Sequence, residues 1–163
     1  MRSIILKSPV GNLRLTADEK GLVALDYLGA VPVKVDKRKK AEDAAFFRPY
    51  EKALKEFFSG KKLLPRFPRS EFPGTEFQRK VWKAVEKIPF GETRSYGEIA
   101  MQIGHPRASR AVGAACGKNP MPLFIPCHRV VSSNGIGGYS DNIEIKKTLL
   151  RLEGGYPQGI FVR

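Results

Sequence analysis

The chain has 163 residues, 42% of them hydrophobic, and carries 29 Lys and Arg against 16 Asp and Glu, for a net charge of +13 and a pI near 10.0. This suits one ordinary globular domain or two small ones; no stretch approaches the roughly 18 to 20 apolar residues of a membrane span, and Lys7 comes too early for a signal-peptide core. With no membrane partner expected, the compartment expected is the cytosol or nucleoid.

The charge is spread along the chain: 16 basic against 8 acidic residues up to Ser70, and 13 against 8 beyond it. Such an excess attracts polyanions, because neutralising phosphates releases condensed counterions. A Lys-rich surface of a thermophilic protein would give the same totals, so charge alone leaves both readings open. Cys116 and Cys127 are the only cysteines, which excludes a secreted disulfide framework. With His105 and His128 they lack the paired short spacing of a structural zinc site, so no metal is expected.

Residues 3–7, 13–17 and 22–28 are short β-rich runs separated by Ser8-Pro9-Val10-Gly11 and Asp18-Glu19-Lys20-Gly21, both of turn composition. They predict a small antiparallel sheet. The basic run 34–40 has no apolar periodicity and reads as a solvated connection. From residue 44 to 58 the apolar positions Phe46, Phe47, Tyr50, Leu54, Phe57 and Phe58 follow helical spacing, with Gly60 as the stop. Pro65, Pro68 and Pro73 forbid a regular helix between residues 61 and 74, which places a domain boundary there.

Thr75 is a candidate N-cap for a helix carrying Phe77, Val81, Trp82, Val85 and Ile88 on one face, ended by Pro89-Phe90-Gly91. Ser95-Tyr96-Gly97-Glu98 matches a capping box and opens a short helix to about Gln102. After the turn Ile103-Gly104-His105-Pro106, a second helix is expected from about Arg107 to Cys116, with Gly117 as C-cap, giving a helix-turn-helix. Its small residues Ala108, Ser109, Ala111, Gly113, Ala114 and Ala115 suit either close approach to a groove or tight packing on the first helix. A last helix is expected over residues 142–153. The fold class is therefore α+β: an N-terminal domain, 1–70, with a small antiparallel sheet and a helix, then a mainly helical domain, 71–163, containing the helix-turn-helix.

Three prolines in Asn119-Pro120-Met121-Pro122-Leu123-Phe124-Ile125-Pro126 predict a rigid irregular loop, a good mount for the Cys127 that follows. Cysteine attacks as the thiolate, and a neighbouring His such as His128 is one way to favour that form. A Cys-His dipeptide by itself is weak evidence, since buried cysteine is usually an inert small hydrophobe.

The longer string Pro126-Cys127-His128-Arg129-Val130 resembles the active-site signature of the O6-alkylguanine-DNA alkyltransferases. The resemblance extends over about residues 74–154, through Gly74-Thr75-Glu76-Phe77-Gln78, Ser95-Tyr96-Gly97-Glu98-Ile99-Ala100, Arg110-Ala111-Val112-Gly113 and Asn119-Pro120. It implies single-turnover repair of double-stranded DNA carrying O6-alkylguanine, with O4-alkylthymine as a further candidate, by a monomer that needs no cofactor. The alkyl group passes irreversibly to Cys127, in a Glu–His–water–Cys relay formed with His128 and Glu153.

The same resemblance implies that Asn119 stabilises the turn before the cysteine loop. Arg110 would fill the gap left by a flipped nucleotide, and Tyr96 would crowd the target phosphate and protonate the departing guanine. Ser95, Ala108, Ser109 and Arg129 would also contact DNA. The pocket would be formed at Val130, Tyr139, Ser140 and Asp141, with the carbonyls of Cys127 and Val130 taking the guanine amino group and the Ser140 N–H donating to O6. Asp141 stands where many members carry Gly, and residues 1–70 hold neither Cys nor His for the zinc site some members have. Two other readings stay open: a helix-turn-helix module that binds without chemistry, and a cysteine hydrolase that turns over.

Overall fold

The computed structural model describes residues 1–30, 41–60 and 64–155. The chain divides into two compact units, Met1–Phe72 and Pro73–Arg163. The basic run at residues 34–40 lies outside the described residues.

In the first unit, strands β1 (Arg2–Ser8), β2 (Gly11–Ala17) and β3 (Leu22–Gly29) form an antiparallel meander in that order. Alternation decides its faces: Leu13, Leu15 and Ala17 of β2 are fully buried while Arg14 points outward to pair with Asp26 at 3.0 Å. Helix α1 (Ala41–Phe58) packs against β1 and closes the core with Phe47, Leu54 and Phe57. It begins three residues before the expected start and runs through Pro49. An interior proline forfeits a helix hydrogen bond, at about 3 kcal/mol; burial of Phe47, Tyr50, Leu54 and Phe57 around it offsets that cost.

The proline-rich stretch after α1 is not all free connection. Leu22 N–H donates to the Pro68 carbonyl at 3.1 Å and Ser70 N–H to the Leu22 carbonyl at 3.0 Å, while the Ser70 hydroxyl donates to Asp18 at 2.6 Å. Gly21 makes this approach feasible, because its φ is +138° and a Cβ there would stand 2.2 Å from the Pro68 carbonyl oxygen.

The second unit contains α2 (Glu76–Val85), β4 (Arg94–Ser95), α3 (Tyr96–Gln102), α4 (Ser109–Cys116), a single 3₁₀ turn (Cys127–Arg129), β5 (Val130–Val131) and α5 (Ile143–Leu152). Thr75 and Ser95 cap α2 and α3 through full capping boxes closed by Gln78 and Glu98. Helix α2 stops at Val85, short of Ile88, which is nevertheless 4% exposed at the end of the following turns.

Helix α4 starts at Ser109 rather than Arg107, because residues 105–108 close a turn in which Ala108 N–H donates to the His105 carbonyl at 2.9 Å. Gly117 caps it in the right-handed conformation, φ −67°, rather than the left-handed one that favours glycine. Packing accounts for one face of its small residues, and the other face is open to solvent. Val112 and Ala115 are buried, and the Trp82 indole N–H donates to the Ala115 carbonyl at 2.9 Å, while Arg110, Ala111 and Ala114 are exposed. Among the described residues no helix is long and apolar enough to cross a membrane.

Candidate active site

Asn119 ties the loop after α4 together. Asn119 Nδ2 donates to the Ile125 carbonyl at 2.7 Å and to Cys127 Sγ at 3.0 Å, and its Oδ1 accepts the Met121 N–H at 2.9 Å. Both amide hydrogens and the carbonyl are therefore engaged. Within this loop Leu123 adopts a φ of +73° while 2% exposed. A left-handed leucine costs about 1–3 kcal/mol, and burial of its side chain keeps the turn in place. Cys127 is not in irregular chain, as the prolines suggested; it begins the 3₁₀ turn that leads into β5, which pairs parallel with β4.

Cys127 is 6% exposed. Burial pushes its thiol pKa up, opposed by the hydrogen bonds of Asn119 and Tyr139 and the charge of Lys146, while Asp141 adds to the rise. The Tyr139 hydroxyl lies 3.9 Å from Sγ. The thiol lines a cleft of about 550 Å³ whose walls come from α3, α4 and the 138–140 loop, including Tyr96, Ser109, Arg110, Tyr139 and Ser140.

His128 and Glu153, twenty-five residues apart, meet at 2.7 Å through Nε2 and Oε1, both side chains fully buried. Glu153 looked like the solvated end of a helix in sequence, but it is buried as the C-cap of α5 and takes four donors. Arg129 reaches its two oxygens through Nε at 2.8 Å and Nη2 at 2.9 Å, and Gly91 N–H donates at 3.2 Å. Gly91 reaches it with φ +81°, where a Cβ would stand 3.1 Å from the Glu153 carbonyl oxygen. Burial alone would raise the Glu153 pKa; hydrogen bonds and charge from His128 and Arg129 overcome it and hold the carboxyl at about 2. A carboxylate only accepts, so the His128 Nε2 must carry its proton. Burial pushes the imidazole pKa down against the pull of Glu153. That favours the neutral ring, and its Nδ1 lone pair has no partner among the described residues.

Arg129 does not belong with DNA contacts. It is 5% exposed, forks onto Glu153 and donates through Nη1 to the Ile88 carbonyl at 2.7 Å. Guanidinium geometry matches a carboxylate bidentately, and that pairing makes the burial tolerable.

The remaining expected residues are distributed around the cleft. Tyr96 donates through its hydroxyl to the Gly138 carbonyl at 3.3 Å, and burial, with the thiols of Cys116 and Cys127, pushes its pKa to about 12. Ser95 is engaged as the α3 cap, Ala108 occupies the N-cap position of α4 without a side-chain bond, and Asp141 is exposed beside the cleft loop. The carbonyls expected to take a guanine amino group already accept internal donors: that of Cys127 the Val130 N–H, and that of Val130 the Lys146 ammonium at 2.7 Å. Each keeps one lone pair for a ligand.

Lys146 escaped sequence reasoning. It is fully buried in α5, donates to the Val130 and Gly138 carbonyls at 2.7 and 2.9 Å, and burial brings its pKa down to about 8. Its place on the inward face of α5, between Ile143 and Leu149–Leu150, was the signal available: a lysine on an apolar stripe. Among the described residues no group of three or more His, Cys, Asp and Glu is placed to hold a metal ion.

Two family models match: the 6-O-methylguanine DNA methyltransferase DNA binding domain over residues 76–155, and the ribonuclease-like domain of the same proteins over residues 1–68. The methylated-DNA–protein-cysteine methyltransferase of Methanosarcina acetivorans is 44% identical over 158 residues, 92% of this chain and 96% of the relative. That of Methanosarcina barkeri is 47% identical over 154 residues, 91% and 94% of the two chains. Among solved structures, the Mycobacterium tuberculosis OGT in complex with DNA aligns with a TM-score of 0.78 at 39% identity, covering 94% of each chain. With that identity sustained along nearly the whole chain, and with both family models matched in order, the chain belongs to the methylated-DNA–protein-cysteine methyltransferase family.

Proposed function

We propose that this protein repairs double-stranded DNA by moving the alkyl group of O6-alkylguanine irreversibly onto Cys127, once per molecule. The observation that carries the reading is the buried His128–Glu153 pair, its Nδ1 unpartnered among the described residues, one residue along the chain from a cysteine held by Asn119 at 3.0 Å. The Nδ1 lone pair accepts the thiol proton through a water, and Glu153 stabilises the imidazolium that results. The thiolate then displaces guanine at the alkyl carbon. The C–S bond forms as the C–O bond breaks, and guanine leaves with the electron pair on O6.

Tyr96 remains protonated at any physiological pH, because its pKa is about 12, so it serves as a donor to the guanine edge as charge develops there. The Ser140 N–H at the cleft wall donates to O6. A thioether has no hydrolytic exit, which makes the reaction stoichiometric and separates it from a cysteine hydrolase.

DNA reaches the cleft along α4, whose exposed face carries Arg110 among small residues. Incubation with a duplex containing O6-methylguanine, followed by intact-mass measurement, tests the whole reading. A gain of one methylene on Cys127 is the expected result. Binding without a mass change would instead establish a recognition module.

Arg110 gives a second, sharper test. It is exposed at the start of α4 and lines the cleft, which supports a role in filling the stack when guanine turns out. Arg110→Ala is expected to slow repair of duplex DNA at least about tenfold more than reaction with a free O6-alkylguanine base, since only the duplex must be opened. The melting temperature should stay unchanged. Equal slowing on both substrates would reject the intercalating role. The free base should carry a small alkyl group, because the exposed Asp141 carboxylate borders the cleft loop.

A further inference from the structure

Cys116 takes no part in the relay, yet it shares the cleft with Cys127. The two are linked through one residue: Asn119 donates its backbone N–H to the Cys116 carbonyl at 3.1 Å and its side-chain amide to Cys127 Sγ at 3.0 Å. Cys116 ends α4 and Cys127 begins the 3₁₀ turn, so each thiol is mounted on a regular element that lines the same cleft. Both are free. Cys127 lies within electrostatic reach of Cys116, and the buried Lys146 ammonium within reach of both.

We propose that Cys116 is a resolving thiol that captures Cys127 when a hydroperoxide oxidises it, storing the acceptor as a reversible intramolecular disulfide. The steps balance. The Cys127 thiolate attacks the distal peroxide oxygen, the O–O bond breaks, and the alkoxide or hydroxide released takes up a proton from solvent. Cys127 sulfur is thereby oxidised to the sulfenic acid. The Cys116 thiol then displaces the sulfenic hydroxyl, forming the S–S bond and releasing water that carries off the thiol proton. Two equivalents of an external thiol return both cysteines to the reduced form.

The chemistry favours this order of events. Burial and the neighbouring Cys127 push the Cys116 pKa to about 12, so Cys116 stays protonated and the peroxide meets the cysteine that has a base. For a protein used once, the benefit is direct. Further oxidation to the sulfinic acid is irreversible by thiols, and every acceptor lost that way is a lesion left unrepaired.

The experiment uses the full chain and at least two equivalents of hydrogen peroxide per chain, enough to carry an unprotected cysteine to the sulfinic acid, followed by alkylation of free thiols and intact-mass measurement. Wild type is expected to lose two hydrogens and take up no thiol label, and trypsin should yield the peptides 111–118 and 119–129 joined, cleaved apart at Lys118. Dithiothreitol should restore alkyl transfer to the untreated level. In Cys116→Ser and Cys116→Ala, each normalised to its own untreated activity, Cys127 should gain two oxygens and recover at least about tenfold less transfer. Sulfinic acid in wild type, disulfides only between molecules, or equal recovery in all three proteins would overturn the proposal. The proposal rests on the transfer reading only for its activity arm. Joined peptides in a protein that transfers no alkyl group would uphold the thiol pair and reject the repair function instead.

Discussion

Cys127→Ser and Cys127→Ala are expected to abolish alkyl transfer while leaving affinity for duplex DNA within about twofold. Transfer needs a polarisable nucleophile that ionises near neutral pH with help from a base. A serine hydroxyl is a far weaker acid than a thiol, and the His128 imidazole, its own pKa already pushed down by burial, cannot make up the difference. Binding draws on different groups. The Cys127 side chain is buried at the base of the cleft, while the basic surface that meets phosphates is exposed. A gel-shift titration beside a transfer assay with O6-methylguanine DNA separates the two. Residual transfer in either variant would remove Cys127 from the role of acceptor. The serine variant is the more telling of the two, because it keeps a group able to hydrogen-bond Asn119.

The second large effect is on stability and centres on Glu153. Its carboxylate neutralises Arg129 and holds His128, with all three side chains nearly or wholly buried. Glu153→Ala leaves the Arg129 guanidinium buried without a counter-charge. Breaking such a pair costs about 3–5 kcal/mol, enough to lower the Tm of this unit by roughly 10 °C or more. Glu153→Gln keeps an acceptor for His128 and should lose less stability, yet transfer should still fall, because a neutral amide cannot stabilise the imidazolium.

The acid limb follows with its sign. The folded pKa of Glu153 is about 2 against an ordinary 4.5, so its contribution is fully present above about pH 4.5 and is lost as pH falls toward 2. Its size is about 3 kcal/mol. His128 acts in the same direction but earlier: with its folded pKa below the ordinary 6.5, it favours the unfolded chain once pH drops under about 6.5. Melting curves taken through both windows distinguish the two residues. In Glu153→Gln the fall below pH 4.5 should flatten while the shallower loss above it persists, and an unchanged acid limb would contradict the assignment of Glu153 as the buried anion.

Much of this architecture is written in local pattern. Alternation at Leu13, Leu15 and Ala17 sets the buried face of β2, and the capping residues Thr75 and Ser95 set the starts of two helices. In each case the physical cause lies within a few residues along the chain, which is why composition and spacing suffice. The string from Pro126 to Val130, likewise contiguous, was enough to single out Cys127 and His128.

What only the tertiary structure decided involves groups far apart in sequence. Glu153 is an unremarkable helix-end carboxylate until α5 brings it to His128 and Arg129. Arg129 reads as a DNA contact until its guanidinium is found buried on that carboxylate. Lys146 looks like one more lysine in a chain of net charge +13, yet burial turns it into a bridge between two carbonyls beside the thiol. The sequence by itself indicated the three-stranded sheet, the helices and the candidate nucleophile, but not the β4–β5 pair or the 3₁₀ turn that carries Cys127. The environment of each ionisable group was decided by packing, because desolvation and charge pairing depend on distance in space rather than on separation along the chain.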